Sequence, residues 1–221
     1  MLKNIDAAIF DLDGTLIDSM WVWNKIDTDY LTSKNIEVPE NLEEDLGHLS
    51  FIQTAEYFKK RFEIEDSIEE ICNTWNTMAQ NHYSNDIPLK PGVAEFLSFL
   101  KSQGIKIGLA TSNSTHLLEA SLKNHGIYDL FDAITITDEV GIGKHRPDVY
   151  LLAAKKLNAD PLKCVVFEDI LPAIKGAKLG GMKVVAIEDE ASINDRDTII
   201  NEANLYIKDY NELLSEIQIT A

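Results

Sequence analysis

The chain is short of cysteine, of basic residues and of long apolar runs, and each shortage excludes something. Of 221 residues only two are cysteines, Cys72 and Cys164. They lie far apart with no metal-ligand spacing, so both read as reduced apolar side chains in a reducing compartment. Lysine and arginine total 20 against 37 acids, a formal net charge of -17. With no basic block, a nucleic-acid partner or an anionic membrane surface is not expected. No apolar run approaches the ~18 residues of a membrane span, and the amino end reads as carrying no leader, so a cytoplasmic location is the expectation. The five histidines are scattered without ligand spacing; His116 and His125 read as exposed on their helix.

What is present begins with Ala7-Ala8-Ile9-Phe10, an apolar run that reads as a buried strand, followed by Asp11-Leu12-Asp13-Gly14-Thr15. Side chains alternate along a strand, so Asp11 and Asp13 are expected side by side at its end. Gly14 permits a sharp exit. Close like charges raise a pKa or demand a cation. A phosphoryl-transfer site uses such a pair: one carboxylate attacks phosphorus, its neighbour moves protons, and Mg²⁺ offsets the charge.

From 18 to 87 the pattern is helical. Ser19 is placed to cap a first helix, Ser50 a second, and Ser67 with Glu70 forms a capping box for a third. Trp21, Trp23 and Trp75 all fall here. From Pro91 strands and helices alternate: strands at 105–110, 133–137, 164–168 and 183–187, helices at about 114–125, 148–157 and 172–178, then a helical tail. Near-continuous apolar strands between helices predict an α/β doubly wound, Rossmann-like parallel sheet. The expected domains are a core of 1–17 and 88–221 and a small α-helical cap of 18–87. In such sheets ligands gather beyond the carboxyl ends of the strands. Asp11 and Asp13, Thr111-Ser112-Asn113, Lys144, and Glu168-Asp169 all fall at or after those ends.

These motifs, in this order, resemble the haloacid dehalogenase-like superfamily of Mg²⁺-dependent phosphatases, in its β-phosphoglucomutase-like branch with a helical cap. The resemblance implies a five-stranded core with the Asp11 strand at its centre. It implies Asp11 as nucleophile and Asp13 as general acid and base. Thr111 and Lys144 would hold the phosphoryl oxygens, helped by Ser112 and Asn113. Asp11, Asp13 through its carbonyl, and Asp169 would bind Mg²⁺, with Glu168 a ligand directly or through water. Dehalogenase and phosphonatase chemistry is set aside because Asp13 is present. Lys144-His145-Arg146-Pro147-Asp148 departs from the family's Pro-x-Pro-Asp after the lysine. Ile170 stands where a serine is common, and Trp23 where mutases of the branch carry a histidine. His48 replaces their basic cap-loop residue. Trp23 and His48 are candidate substrate contacts. The expectation is therefore a monomeric phosphatase acting on a small phosphorylated metabolite. A β-phosphoglucomutase-type mutase is the alternative, and a catalytically weak binding or regulatory module the third reading.

Overall fold

The computed structural model describes residues 4–40, 42, 46 and 51–220. The chain divides into two compact units, one of Met1–Ser19 with Ile87–Ala221 and one of Met20–Asp86.

The larger unit is built on a parallel sheet. Its described strands are β1 (Ala7–Phe10), β2 (Lys106–Thr111), β3 (Ala133–Ile136), β4 (Cys164–Glu168), β5 (Lys183–Ile187) and β6 (Leu205–Ile207). Their spatial order is β3-β2-β1-β4-β5-β6. β1 pairs in parallel with both β2 and β4, and Phe10 lies level with Leu109 and Phe167. The strand order reverses at β1, so the loop after Phe10 occupies the crevice that such sheets offer to ligands. The five-stranded core implied by the resemblance is thus extended by one strand. Leu205-Tyr206-Ile207 pairs with β5 inside what reads, from sequence, as a helical tail.

Alternation along the strands sorts the core into two layers. Ala7, Ile9, Val166, Val184 and Ala186 face one layer, with Tyr150, Ala153, Ile174 and Ala177 from the helices packed on it. Phe10 and Phe167 face the other, stacked with centroids 4.4 Å apart. Phe96 and Tyr210 close over them, each 6.3 Å from Phe10.

The smaller unit contains α1 (Trp21–Ser33), α2 (Phe51–Arg61) and α3 (Ile68–Asn85). The capping box on α3 forms as the spacing predicts: Ser67 Oγ accepts from the Glu70 N–H and Glu70 reaches back to the Ser67 N–H. Trp75 is buried at the centre of the unit, edge-on to Phe58 at 4.9 Å and to Tyr30 at 5.7 Å. Such contacts between large rings add to the area they bury. The expected cap at Ser19 does not form. Met20 is the N-cap of α1, with no side-chain hydrogen bond, because the Ser19 hydroxyl is taken by a carboxylate in the larger unit. The proposed Ser50 cap lies outside the described residues.

Four further helices complete the part of the larger unit that carries the site: α4 (Val93–Ser102), α5 (Thr115–Asn124), α6 (Asp148–Lys156) and α7 (Leu171–Leu179). Beyond β5 follow α8 (Arg196–Glu202) and α9 (Tyr210–Thr220). Among the described residues no helix is long and apolar enough to cross a membrane.

Candidate active site

The turn after β1 is held by its own backbone. The Leu12 carbonyl accepts from the N–H groups of Leu16 at 2.8 Å and Ile17 at 3.1 Å, and the Gly14 N–H donates to the Ile17 carbonyl at 2.9 Å. Gly14 has φ of 78°, and a Cβ there would lie 2.3 Å from Asp169 Oδ2. Glycine is therefore required twice, for the turn and for the room it leaves beside that carboxylate.

Strand alternation then decides which acids meet. Ala7, Ile9 and Asp11 share a face of β1, and Cys164, Val166 and Glu168 share the same face of β4. Lys144, from the loop between β3 and α6, enters on this side. Its Nζ donates to Asp11 Oδ1 and, at 2.7 Å, to Glu168 Oε1. The loop comes this close because α7 has a glycine where it crosses: a Cβ on Gly176 would meet the Lys144 carbonyl oxygen at 1.9 Å. Asp169 falls on the opposite face, where Thr15 Oγ1 donates to its Oδ1 at 3.2 Å.

Asp11, Glu168 and Asp169 are all buried, and one oxygen of each lies within 4.8 Å of the other two. Glu168 Oε2 and Asp169 Oδ2 are buried without a hydrogen-bond partner. Three carboxylates facing one lysine leave uncompensated negative charge. Burial, reinforced by Glu168 and Asp13 and opposed by Lys144, pushes Asp11 up to about 7. Burial and its acidic neighbours likewise raise Asp169 well above the usual carboxylate range. On Lys144 burial acts downward, but Asp11 and Glu168 outweigh it and hold the ammonium charged. A hard divalent cation suits this donor set: all oxygens, two of them unsatisfied, with space kept open by Gly14.

Asp13 is placed differently. Its carboxylate is partly buried and accepts from Ser19 Oγ at 2.7 Å and Asn113 Nδ2 at 2.8 Å. Thr111 is buried at the end of β2, and its Oγ1 accepts from the Asn113 N–H at 3.0 Å. It does not cap α5; Ser114 does, accepting from the Leu117 N–H. Ser112 is exposed and Asn113 partly buried. His145 and Arg146 are exposed, with Arg146 Nε 3.8 Å from Asp148. Trp23 is partly buried in α1 and lies edge-on to Phe51 at 5.6 Å. His48 lies outside the described residues. His125, expected to be exposed, is partly buried, and its Nε2 is 2.8 Å from the Ile87 carbonyl oxygen.

Sequence reasoning missed three residues here. Tyr150 of α6 donates its buried hydroxyl to Glu168 Oε1 at 2.7 Å. Tyr210 of α9 donates to the Thr15 carbonyl at 3.3 Å, bracing the turn after β1. Lys90 is buried against Asp189, whose carboxylate it reaches at 2.8 Å. A phenol on the apolar face Val149, Tyr150, Ala153, Ala154 was a signal, since a buried hydroxyl needs a partner.

A family model described as haloacid dehalogenase-like hydrolase matches residues 5–181. Hexitol phosphatase B of Escherichia coli O157:H7 is 30% identical over 97% of this chain and 96% of its own. A phosphorylated carbohydrates phosphatase of Thermotoga maritima is 27% identical over 97% of this chain and 99% of its own. A crystal structure from Thermotoga maritima, provisionally named as a β-phosphoglucomutase, superimposes with a TM-score of 0.85 at 28% identity, covering 98% of this chain and all of that one. With the acids of β1 and β4, the lysine between them and a match across most of its length, the chain belongs to the haloacid dehalogenase-like hydrolases.

Proposed function

We propose that this hydrolase is an Mg²⁺-dependent phosphatase that cleaves the phosphomonoester of a small sugar or sugar alcohol, with Asp11 as the nucleophile. The observation that carries the reading is the division of labour between two neighbouring acids. Asp11 is buried in the carboxylate trio against Lys144, while Asp13 accepts from two neutral donors, Ser19 and Asn113. A nucleophile and a proton carrier need such separate surroundings.

An Asp11 carboxylate oxygen attacks phosphorus, and the bond from phosphorus to the ester oxygen breaks. Asp13 gives that departing oxygen its proton, and the alcohol product leaves. Asp13, now ionised, takes a proton from water as the water oxygen attacks the aspartyl phosphate. The Asp11–phosphorus bond breaks, inorganic phosphate departs and both acids are restored. Lys144 sets a compact positive charge beside the attacking carboxylate, and the Thr111 hydroxyl is available to a phosphoryl oxygen. Asp11, Glu168, Asp169 and the Asp13 carbonyl would hold Mg²⁺, which when bound would neutralise charge on the phosphoryl oxygens.

The names of the relatives support a carbohydrate phosphate as substrate. The helical unit would act as a cap that excludes water and selects the leaving group, with Trp23 and His48 as its candidate contacts. The reading takes the enzyme as a cytoplasmic monomer. The test is phosphate release from a panel of sugar and polyol phosphates with Mg²⁺, alongside Asp11→Asn. Turnover by the wild type, abolished in D11N with the fold retained, is expected. An active D11N removes Asp11 as nucleophile. Isomerisation of a hexose 1-phosphate primed by a bisphosphate, without phosphate release, would replace the phosphatase with a mutase.

A further inference from the structure

Glu168 presents its two oxygens very unequally. Oε1 accepts from both Lys144 Nζ and Tyr150 OH, each at 2.7 Å, whereas Oε2 is buried with no partner. The Tyr150 hydroxyl is itself sealed in the core, 0% exposed on a helix face otherwise apolar. Such a hydroxyl is costly to bury for packing alone, since phenylalanine would fill the same volume. Because β4 turns Glu168 toward α6, Tyr150 is the group that meets it there.

We propose that Tyr150 is a positioning residue that makes Glu168 a one-oxygen ligand and so sets the metal site's preference for Mg²⁺ over Ca²⁺. The inference rests on the metal site of the reading above. Two donors on Oε1 occupy its lone pairs and fix the carboxylate rotation, so that Oε2 alone is offered. Mg²⁺ demands a small octahedral shell, whereas Ca²⁺ takes six to eight oxygens and accepts both oxygens of one carboxylate. Removing the phenol hydroxyl frees part of Oε1 and loosens the carboxylate. Mg²⁺ loses a preorganised ligand, and Ca²⁺ gains access to a second oxygen. Partners that orient a ligand typically change metal affinity 10–100-fold when removed.

The test is calorimetric titration of the metal-free full chain with MgCl₂ and, separately, CaCl₂, for wild type and Tyr150→Phe. No turnover is required. Y150F is expected to bind Mg²⁺ about tenfold more weakly while Ca²⁺ affinity holds or rises, so the Mg²⁺/Ca²⁺ ratio falls by about tenfold or more. Both affinities are measured on one sample, so their ratio reads the proposal even if the variant is less stable. In a Glu168→Ala background the same substitution should leave the ratio unchanged. An unchanged ratio in Y150F, or an equal fall with and without Glu168, would overturn the proposal. A ratio shift in Y150F beside a wild type that releases no phosphate from any ester sinks the phosphatase reading alone. An active phosphatase whose ratio does not respond to Y150F sinks the role of Tyr150 alone.

Discussion

Gly176 carries no functional group, yet Gly176→Ala should cripple the site. The added Cβ would stand 1.9 Å from the Lys144 carbonyl oxygen, where ordinary contact begins at 3.4 Å, so about 1.5 Å (3.4 − 1.9) must be found by moving backbone. Neither side yields easily. The loop is fixed by Lys144 Nζ on Asp11 and Glu168, and α7 begins two residues after Asp169. Overpacking of this kind costs about 1–3 kcal/mol, which a domain this large survives. Catalysis is more sensitive, because misplacing a group by about 1 Å costs on the order of 100-fold, about 2.7 kcal/mol of barrier. The assay is kcat for phosphate release beside the melting temperature. Gly180→Ala at the end of the same helix serves as control, since its Cβ would meet nothing closer than 3.2 Å. A fall in kcat of about 100-fold with a melting loss of only a few degrees is expected for G176A, and little change for G180A. A G176A enzyme with wild-type kcat would refute the claim that this glycine holds the lysine loop in place.

Other perturbations test the electrostatics. Burial raises Asp11 to about 7 and lifts Asp169 well above the usual carboxylate range, so a bound metal must displace protons from these acids. Mg²⁺ affinity should therefore fall as pH drops below about 7, with proton release visible when calorimetric heats are compared across buffers; a pH-independent affinity with no proton release would contradict it. Lys144→Met leaves Asp11 and Glu168 facing each other, at a cost of about 3–5 kcal/mol in the metal-free protein. Added Mg²⁺ should recover part of the lost melting temperature, and no recovery would mean that the cation does not share the lysine's charge. In the helical unit, burial raises Asp27 from 3.8 to about 7. The unfolded chain gives up this proton first, so stability is lost as pH rises from about 4 to about 7. Asp27→Asn should escape that loss, with an advantage over wild type that widens across the same range to a ceiling of ~4 kcal/mol; parallel stability–pH curves would show that the carboxyl is not desolvated.

The site was legible wherever chemistry is written beside a strand end. Asp11, Thr111 and Glu168-Asp169 follow apolar runs whose period and bounding turns are plain, and alternation alone puts Asp11 and Glu168 on one face. Lys144 was legible only by its place in the motif order, since nothing local says that a loop lysine is buried. Ser19 was misread because a serine before a helix is a local capping signal, while its actual partner, the Asp13 carboxylate, is a stronger acceptor that only the folded turn brings within reach. β6 was missed because three residues are too few to show a period. Tyr150 and the Lys90–Asp189 pair depend on contacts across 18 and 99 residues, and no window of sequence contains both partners.

The two connections that leave and re-enter the larger unit are zipped together by that unit itself. The Asp18 N–H donates to the Pro88 carbonyl at 3.0 Å, the Lys90 N–H donates to the Leu16 carbonyl at 2.9 Å, and Ile17 bridges Leu89 between them. The larger unit thus closes the long detour at its neck, and the entropy of bringing the two ends together is met there whatever lies between. Any segment whose own ends lie one strand spacing apart could be grafted at this neck without disturbing Asp11. A different small domain could then be joined to the old sheet by exchanging a single continuous stretch of chain.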